Sequence, residues 1–210
     1  MKFRSPFVAL ATAALAALAM ATPASAATPN PGVITADNTT LVFTAGSGVD
    51  NNLSIGTTLV NGQERIAFSD QAALLTESLA HCVTTNNGHL VHCDLALVSR
   101  LKVTLGGGAD RMVGSVTLSI PMVVDGGIGD DTISTGRGND TIDSGSGNDS
   151  VVPNGGRDTV LLGLNADTAD VRDGQSDSVD CGARGVFERP DEIRADAGDT
   201  MYRCEKVIVG

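Results

Sequence analysis

Aspartate recurs every nine residues in the middle of this chain, and each aspartate follows closely spaced glycines. Four consecutive nines, from Gly126 to Leu161, read GGIGDDTIS, TGRGNDTID, SGSGNDSVV and PNGGRDTVL. Aspartate is at the sixth place of each nine, glycine at the fourth, and isoleucine or valine at the eighth. Carboxylates and the carbonyl oxygens of glycine-rich loops are hard ligands, and Ca²⁺ takes about 6–8 such oxygens. The spacing therefore predicts a row of calcium sites.

The residues after each aspartate predict the elements that would position it. Thr-Ile-Ser, after Asp131, is typical of a short strand with one buried aliphatic side chain between two outward polar ones. One nine then forms a loop and a strand, and two nines form a full coil. Asp131 is expected to lie over Asp149, and Asp140 over Asp158, at the usual strand spacing of about 4.8 Å. Carboxylates at that distance repel each other, and a dication between successive loops would remove the repulsion.

Two simpler interpretations compete with calcium binding. A Gly-rich linker is one, but linkers lack a strict register and periodic aliphatic residues. A Gly/Asp-rich β-solenoid without any ion is the other, and it stays open because aspartate also serves in turns.

The register resembles the nonapeptide G-G-x-G-x-D-x-U-x of the RTX, or haemolysin-type, calcium-binding repeat family. The resemblance implies a right-handed parallel β-roll with calcium between neighbouring loops. The ligands that it implies are the carboxylates of Asp131, Asp140, Asp149 and Asp158, and carbonyl oxygens around Gly127, Gly129, Gly136, Gly138, Gly145, Gly147 and Gly156. Asn139 and Asn148, at the fifth place, would assist through the loop. Pro153-Asn154 begins the fourth nine, which predicts an altered or empty site there.

The repeat extends with less regularity on both sides. Leu105 to Val113 fits the same nine, and its Asp110 lies two nines plus three positions before Asp131, which predicts a further ligand in the same column. Ser115 to Val124 alternates and is expected to be strand-rich, in one wider coil. After Asp158 the nine from Leu162 to Asp170 keeps Gly163 and Asp167 but loses its second glycine, so the strands are expected to continue without calcium loops.

The predicted fold is all-β: a parallel β-solenoid, or RTX-like β-roll, with a strand-rich N-terminal cap. Residues 1–26 are typical of a signal peptide, with an apolar run and an Ala24-Ser25-Ala26 cleavage site, so the protein is expected to be secreted. Residues 27–104 would form the cap, 105–170 the calcium-binding repeats, and 171–210 degenerate repeats with a Cys-tied C-terminal cap. The cysteine-bearing flanks resemble those of small exported bacterial calcium-binding proteins of this family.

Composition supports a thin, repetitive and acidic protein. Of 210 residues, 41% are hydrophobic but only 3% are aromatic, which fits a core made of one column of aliphatic side chains. The formal net charge of −11 argues against nucleic acid or an anionic membrane as a partner and fits cations. No segment after the signal is long and apolar enough to span a membrane.

The segment before the repeats is predicted to form short strands joined by turns. Strands are predicted at 32–35, 40–44, 53–55, 64–68 and 97–105, with a hairpin at Asn61-Gly62. Asp70 to Leu79 is predicted to be a short helix. A second hairpin is expected to turn at Asn87-Gly88, which would place Cys82 opposite Cys93.

The four cysteines are expected to be oxidised in an exported chain. Three pairings are possible, and sequence proximity favours Cys82–Cys93 and Cys181–Cys204. All three histidines, His81, His89 and His92, lie around the first pair, so a zinc site there is an alternative.

A non-catalytic, secreted calcium-binding protein is the function that the sequence favours. A cell-surface adhesin or wall-associated structural protein is the alternative, and its protein or surface partner is not indicated by any motif. An enzyme is the third possibility, with the three histidines as general bases. The chain lacks H-E-x-x-H, G-x-S-x-G and P-loop motifs, which argues against this possibility.

Overall fold

The computed structural model describes residues 31–46, 48–72, 75–77, 79–183 and 189–210. The predicted signal peptide, 1–26, lies outside these residues. The described part is all-β, with two single 3₁₀ turns, Asn86–Gly88 and Leu95–Leu97. Within it, no helix is long and apolar enough to cross a membrane.

Nineteen strands are described. The first eight are β1 Gly32–Asp37, β2 Thr40–Thr44, β3 Asn52–Val60, β4 Gln63–Asp70, β5 Leu75–Glu77, β6 Cys82–Thr85, β7 Leu90–Asp94 and β8 Arg100–Gly107. The others are β9 Arg111–Gly114, β10 Met122–Ile128, β11 Thr132–Ser134, β12 Thr141–Asp143, β13 Ser150–Val152, β14 Thr159–Leu161, β15 Thr168–Asp170, β16 Ser178–Asp180, β17 Glu192–Ala195, β18 Thr200–Tyr202 and β19 Lys206–Val209.

The strands form two mixed sheets, and from β8 onward successive strands alternate between them. The nine-stranded sheet has the order β18-β16-β14-β12-β10-β8-β2-β1-β5, and the ten-stranded sheet has the order β19-β17-β15-β13-β11-β9-β3-β4-β7-β6. Pairs from β8 and β9 onward are parallel, whereas hairpins at the N-terminal end are antiparallel. In the parallel part, each strand therefore pairs with the strand two places along the chain.

The register of the parallel strands is the one that the nine-residue spacing predicts. Thr132 pairs with Ser150 and Thr141 with Thr159, so each residue lies opposite its equivalent two nines later. The eighth-place aliphatic residues are fully buried and join one core that includes both sheets. Near its N-terminal end this core contains two stacked rings, Phe43 and Phe68, with centroids 6.5 Å apart.

The N-terminal strands largely follow the sequence prediction. Asn61-Gly62 forms the predicted two-residue hairpin turn, with both residues at positive φ and Val60 paired with Gln63. The predicted helix from Asp70 to Leu79 is wrong in the described part, where Leu75–Glu77 is strand β5. Leu75 is buried and pairs in parallel with Gly32, so a distant strand overrides the local preference.

Three further boundaries differ from prediction. Residues 97–99 do not belong to a strand, because the 3₁₀ turn over Leu95–Leu97 precedes β8. Residues 115–121 are not strand either, and β10 begins only after Pro121, which has no N–H for a ladder. The hairpin between β6 and β7 turns over four residues, 86–89, rather than two.

The wider turn keeps Cys82 opposite Cys93 but changes the hydrogen-bonding type of this pair. The two residues pair directly with Cα atoms 4.0 Å apart, and the N–H of Asp94 donates to the carbonyl of His81. This is the closely spaced kind of antiparallel pair. A disulfide joins Cys82 to Cys93, and a second joins Cys181 to Cys204, the two pairings favoured by sequence proximity.

The second disulfide should stabilise the C-terminal strands. It closes a sequence separation of 23 residues, for which the chain-entropy relation gives about 3 kcal/mol. We expect the double substitution Cys181→Ser/Cys204→Ser to lower the free energy of unfolding by about that amount in urea titrations. Reduction of the parent protein breaks both disulfides and should lower the unfolding midpoint at least as far. An unchanged midpoint in the double variant would contradict this role.

Candidate metal centre

A first column of aspartates lines one side of the structure. Each member directly precedes a strand of the ten-stranded sheet, and all five are 1–2% exposed: Asp110, Asp131, Asp149, Asp167 and Asp191. The N–H of each donates to the Oδ1 atom of the next, with distances of 2.8, 2.8, 2.8 and 2.9 Å. One carboxylate oxygen per residue thus binds the backbone N–H of the preceding aspartate in the column.

A second column lies before the strands of the nine-stranded sheet. Its members are Asp140, Asp158, Asp177 and Asp199, of which the first three are buried. The same N–H to Oδ1 bonds connect them, at 2.8, 2.8 and 3.0 Å. At the N-terminal end the N–H of Met122 donates to Asp140 at 2.8 Å, so an apolar residue takes the place of a further aspartate.

The second carboxylate oxygen of these residues is buried and has no hydrogen-bond partner. This holds for Oδ2 of Asp110, Asp131, Asp140, Asp149, Asp158, Asp167 and Asp177. The hydroxyls of Thr135 and Ser144, close to two of them, donate instead to the carbonyls of Pro153 and Leu162, each at 2.8 Å. A buried polar atom without a partner costs about 1–3 kcal/mol, and more when charged.

The environment of these carboxyls makes the charged form costly in the absence of a cation. Burial and, to a smaller extent, neighbouring carboxylates raise the pKa of Asp158 to about 8 and that of Asp167 to about 7, against backbone N–H donors that lower both. Burial also raises the pKa of the others: to about 6 for Asp131 and Asp177, and above the ordinary range for Asp110, Asp140 and Asp149. A dication would reverse this preference.

The predicted carbonyl donors line the loops beside the two columns. The second-place carbonyls of Gly127, Gly136 and Gly145 accept the backbone N–H groups of Ser146, Gly155 and Leu164, at 2.9, 3.2 and 2.9 Å respectively. At the fourth place the loops meet without room for a side chain. A Cβ on Gly147 would lie 2.0 Å from the Gly129 carbonyl oxygen, and one on Gly156 would lie 2.1 Å from that of Gly138.

The fifth-place residues connect neighbouring loops through their side chains. The N–H of Arg157 donates to Oδ1 of Asn139 at 2.9 Å, and the N–H of Asn148 donates to Oδ1 of Asp130 at 2.7 Å. A longer bond, 3.4 Å, joins Ala166 N–H to Asn148. These side chains are therefore placed to hold the loops in position.

The irregular fourth nine has an asparagine at its second place, where the first three nines have glycine. Asn154 adopts a φ of 64°, in the left-handed region that asparagine tolerates better than most residues. Its side-chain N–H₂ group donates to the Thr135 carbonyl at 2.8 Å and to the Ser134 hydroxyl at 3.0 Å.

The aspartate columns do not end at Asp158, where the regular glycines are lost. Asp167, Asp177 and Asp191 continue them, and Asn51 extends the first column in the other direction. A pattern in the sequence identifies Asp167, Asp177 and Asp191. Each is followed by one polar residue and then a buried Ala, Val or Ile, as in the regular nines.

The sequence suggests an alternative metal site, for zinc, at the cysteines and histidines around the first disulfide. Cys82 and Cys93 are joined to each other and present no free thiolates to zinc. His89 contacts the Asp70 carbonyl at 2.8 Å, while His92 pairs across strands with Ala67. Among the described residues, no three His, Cys, Asp or Glu side chains are grouped to hold a metal ion. Cation binding would therefore need backbone carbonyl oxygens beside the aspartates.

The comparison with protein families agrees with the repeat. Residues 125–168 match the RTX calcium-binding nonapeptide repeat, in four copies. No curated protein matches the chain. No solved structure matches it either.

Proposed function

We propose that this chain, whose residues 125–168 carry RTX calcium-binding repeats, is a secreted, non-catalytic protein that binds Ca²⁺ along its two aspartate columns. The observation that carries the proposal is the row of buried Oδ2 atoms without partners. Their regular spacing from coil to coil is what an ion between successive loops requires. A calcium ion would give these buried carboxylate oxygens the positively charged partner that they lack.

Each site would combine carboxylate and carbonyl oxygens. The chain offers Oδ2 of Asp131, Asp149 and Asp167 on one side and of Asp140, Asp158 and Asp177 on the other. Carbonyl oxygens of the second-place and fourth-place glycines complete the set, because each carbonyl has a second lone pair. This mixture suits calcium, which accepts neutral and charged oxygens in flexible geometry.

The alternation of strands between the two sheets supports a parallel β-roll. Two nines bring the chain back to the same sheet, since a register of two nines relates β11 to β13 and β12 to β14. Each coil then contributes one loop to each column. Calcium would bind folded coils and not the unfolded chain, and at a concentration of 1,000 Kd it would stabilise the fold by about 4 kcal/mol per site.

We also propose that the protein is exported and has no catalytic activity. Two disulfides are typical of proteins that fold in an oxidising compartment. The ring of His89 contacts the backbone carbonyl of Asp70 at 2.8 Å, which argues against a role as a general base.

Replacing one column carboxylate should weaken the calcium response. Asp149→Asn keeps an oxygen for the Asp131 N–H but removes the charge, so we expect the calcium-induced rise in Tm to fall by roughly half. Asp143→Asn is the matched control, since Asp143 is an exposed residue at the ninth place of its nine. Its calcium response should equal that of the parent.

The measurement is a calcium titration of the purified protein, followed by chelation, with Tm and far-UV circular dichroism as readouts. Isothermal titration calorimetry of the same three proteins would count the ions. A parent protein whose Tm and spectrum ignore both calcium and chelator would refute the proposed function. Equal responses of the two variants would refute the assignment of the columns.

A further inference from the structure

The loop before β3 repeats, in diverged form, the loop before β9. Strand β3 pairs in parallel with β9, with Asn52 opposite Arg111 and Leu53 opposite Met112. Asn51 therefore lies in register with Asp110, at the N-terminal end of the first column. The match to RTX repeats begins only at residue 125, so neither residue belongs to it.

Hydrogen bonds connect the two loops closely. Oδ1 of Asp110 accepts both the N–H of Asn51, at 2.6 Å, and its side-chain Nδ2 group, at 2.8 Å. The same Nδ2 group donates to the carbonyls of Val49 and Leu105, at 2.9 and 3.4 Å. The N–H of Ala109 donates in turn to Oδ1 of Asp50 at 2.9 Å. These contacts hold Asn51 and Asp110 beside each other.

Two buried oxygens at this contact have no partner. They are Oδ1 of Asn51 and Oδ2 of Asp110, and both residues are 2% exposed. The N–H donors named above bond to other oxygens, so these two oxygens are available to a ligand from outside the chain. A carboxylate and an amide oxygen together are suited to a hard divalent cation.

We propose that a calcium ion binds between these loops, with Asn51 Oδ1 and Asp110 Oδ2 among its ligands. The inference rests on the proposed function and extends it outside the matched repeats, to the strands that precede them. An amide in place of a carboxylate lowers the charge of the site, which predicts weaker binding than at Asp149. In the second column a buried apolar residue, Met122, stands where Asp110 stands in the first.

Asn51→Leu removes the amide oxygen and keeps the side-chain volume. Calorimetry should then find one calcium ion fewer per chain than in the parent. Asn52→Leu is the matched control, because Asn52 is the next residue and its side chain points to the opposite face of β3. It should keep the parent number of ions.

The variant Asn51→Asp distinguishes whether Asn51 binds an ion or only forms hydrogen bonds. An added buried carboxylate beside Asp110 should lower Tm in chelator, but in calcium Tm should equal or exceed that of the parent. Calcium affinity at this site should rise by about tenfold. This comparison decides the question even if the leucine variant does not fold.

Two results would overturn the inference alone: an unchanged ion count in Asn51→Leu, or an equal loss of Tm with and without calcium in Asn51→Asp. A parent protein that binds no calcium would overturn the proposed function and this inference together.

Discussion

Gly129→Ala should remove much of the stability of the folded protein, about 3–5 kcal/mol in urea titrations with calcium present. Gly129 has a φ of 137°, which side chains resist, and an added Cβ would lie 1.7 Å from the carbonyl oxygen of Gly108. That atom belongs to the backbone of the neighbouring loop, so no rotamer change relieves the overlap. The loops would have to separate, which weakens the bond from the Gly108 N–H to the Ile128 carbonyl, now 3.0 Å long.

Two control variants separate the cost of the unfavourable φ from the cost of the steric overlap. Gly174→Ala introduces unfavourable φ alone, because Gly174 has a φ of 84° and no atom within 4 Å of the added Cβ. Gly107→Ala introduces neither problem, since its nearest neighbour would be 3.8 Å away. We expect the largest loss for Gly129→Ala, about 1 kcal/mol for Gly174→Ala and the smallest for Gly107→Ala. A loss at Gly129 no larger than that at Gly174 would show that the loops can separate freely.

The regular part of the fold can be predicted from the sequence because one short-range rule governs it. A buried aliphatic residue at the eighth place of every nine fixes which face of each strand points inward, and the count of two nines fixes its neighbour. The sequence also predicts Asp110 in the first column, although its spacing from Asp131 is irregular. The additional residues lie before β10, and they leave the strand pairing intact.

The loss of glycines is a poor guide to where the aspartate columns end. Asn154 and Asn165 stand at the second and fourth places of the irregular nines, where the regular nines have glycine, and both have positive φ. The aspartate itself is held by a backbone N–H of the preceding coil, as Asp167 is by Asp149, and that bond does not need glycine. The Asp-x-aliphatic signature is thus the better guide.

Contacts between distant parts of the chain account for the other differences between the sequence prediction and the structure. Strand β5 is short, and its character depends on pairing with β1, which lies far earlier in the chain. Asn51 joins the first column only because the hairpin strands between β3 and β8 lie outside the parallel stack. No periodicity in the sequence connects Asn51 to Asp110, which are separated by 59 residues.

Acidification should stabilise the calcium-free protein and weaken the effect of calcium. In the folded state burial raises the pKa of Asp158 to about 8 and of Asp167 to about 7, whereas the ordinary value is 3.8. Between the ordinary and the raised pKa the folded state binds more protons than the unfolded state. Its stability therefore rises as pH falls from 8 towards 4, by about 1.4 kcal/mol per pH unit for each proton taken up. Below that range the unfolded state is protonated too, and the gain levels off.

Calcium and protons compete for the same oxygens, so calcium affinity should fall over the same interval. We expect Tm measured without calcium to rise between pH 8 and pH 5, while the calcium-induced increase in Tm shrinks and the two curves converge. Asp158→Asn should flatten the calcium-free curve most near pH 8, because it removes the carboxyl with the highest pKa. Asp143→Asn provides the comparison of equal charge change at an exposed site, with a smaller effect on that slope. A calcium-free Tm that falls steadily from pH 8 to pH 5 would mean that the column carboxylates are charged and satisfied without an ion, which would remove the physical basis for calcium binding at the columns.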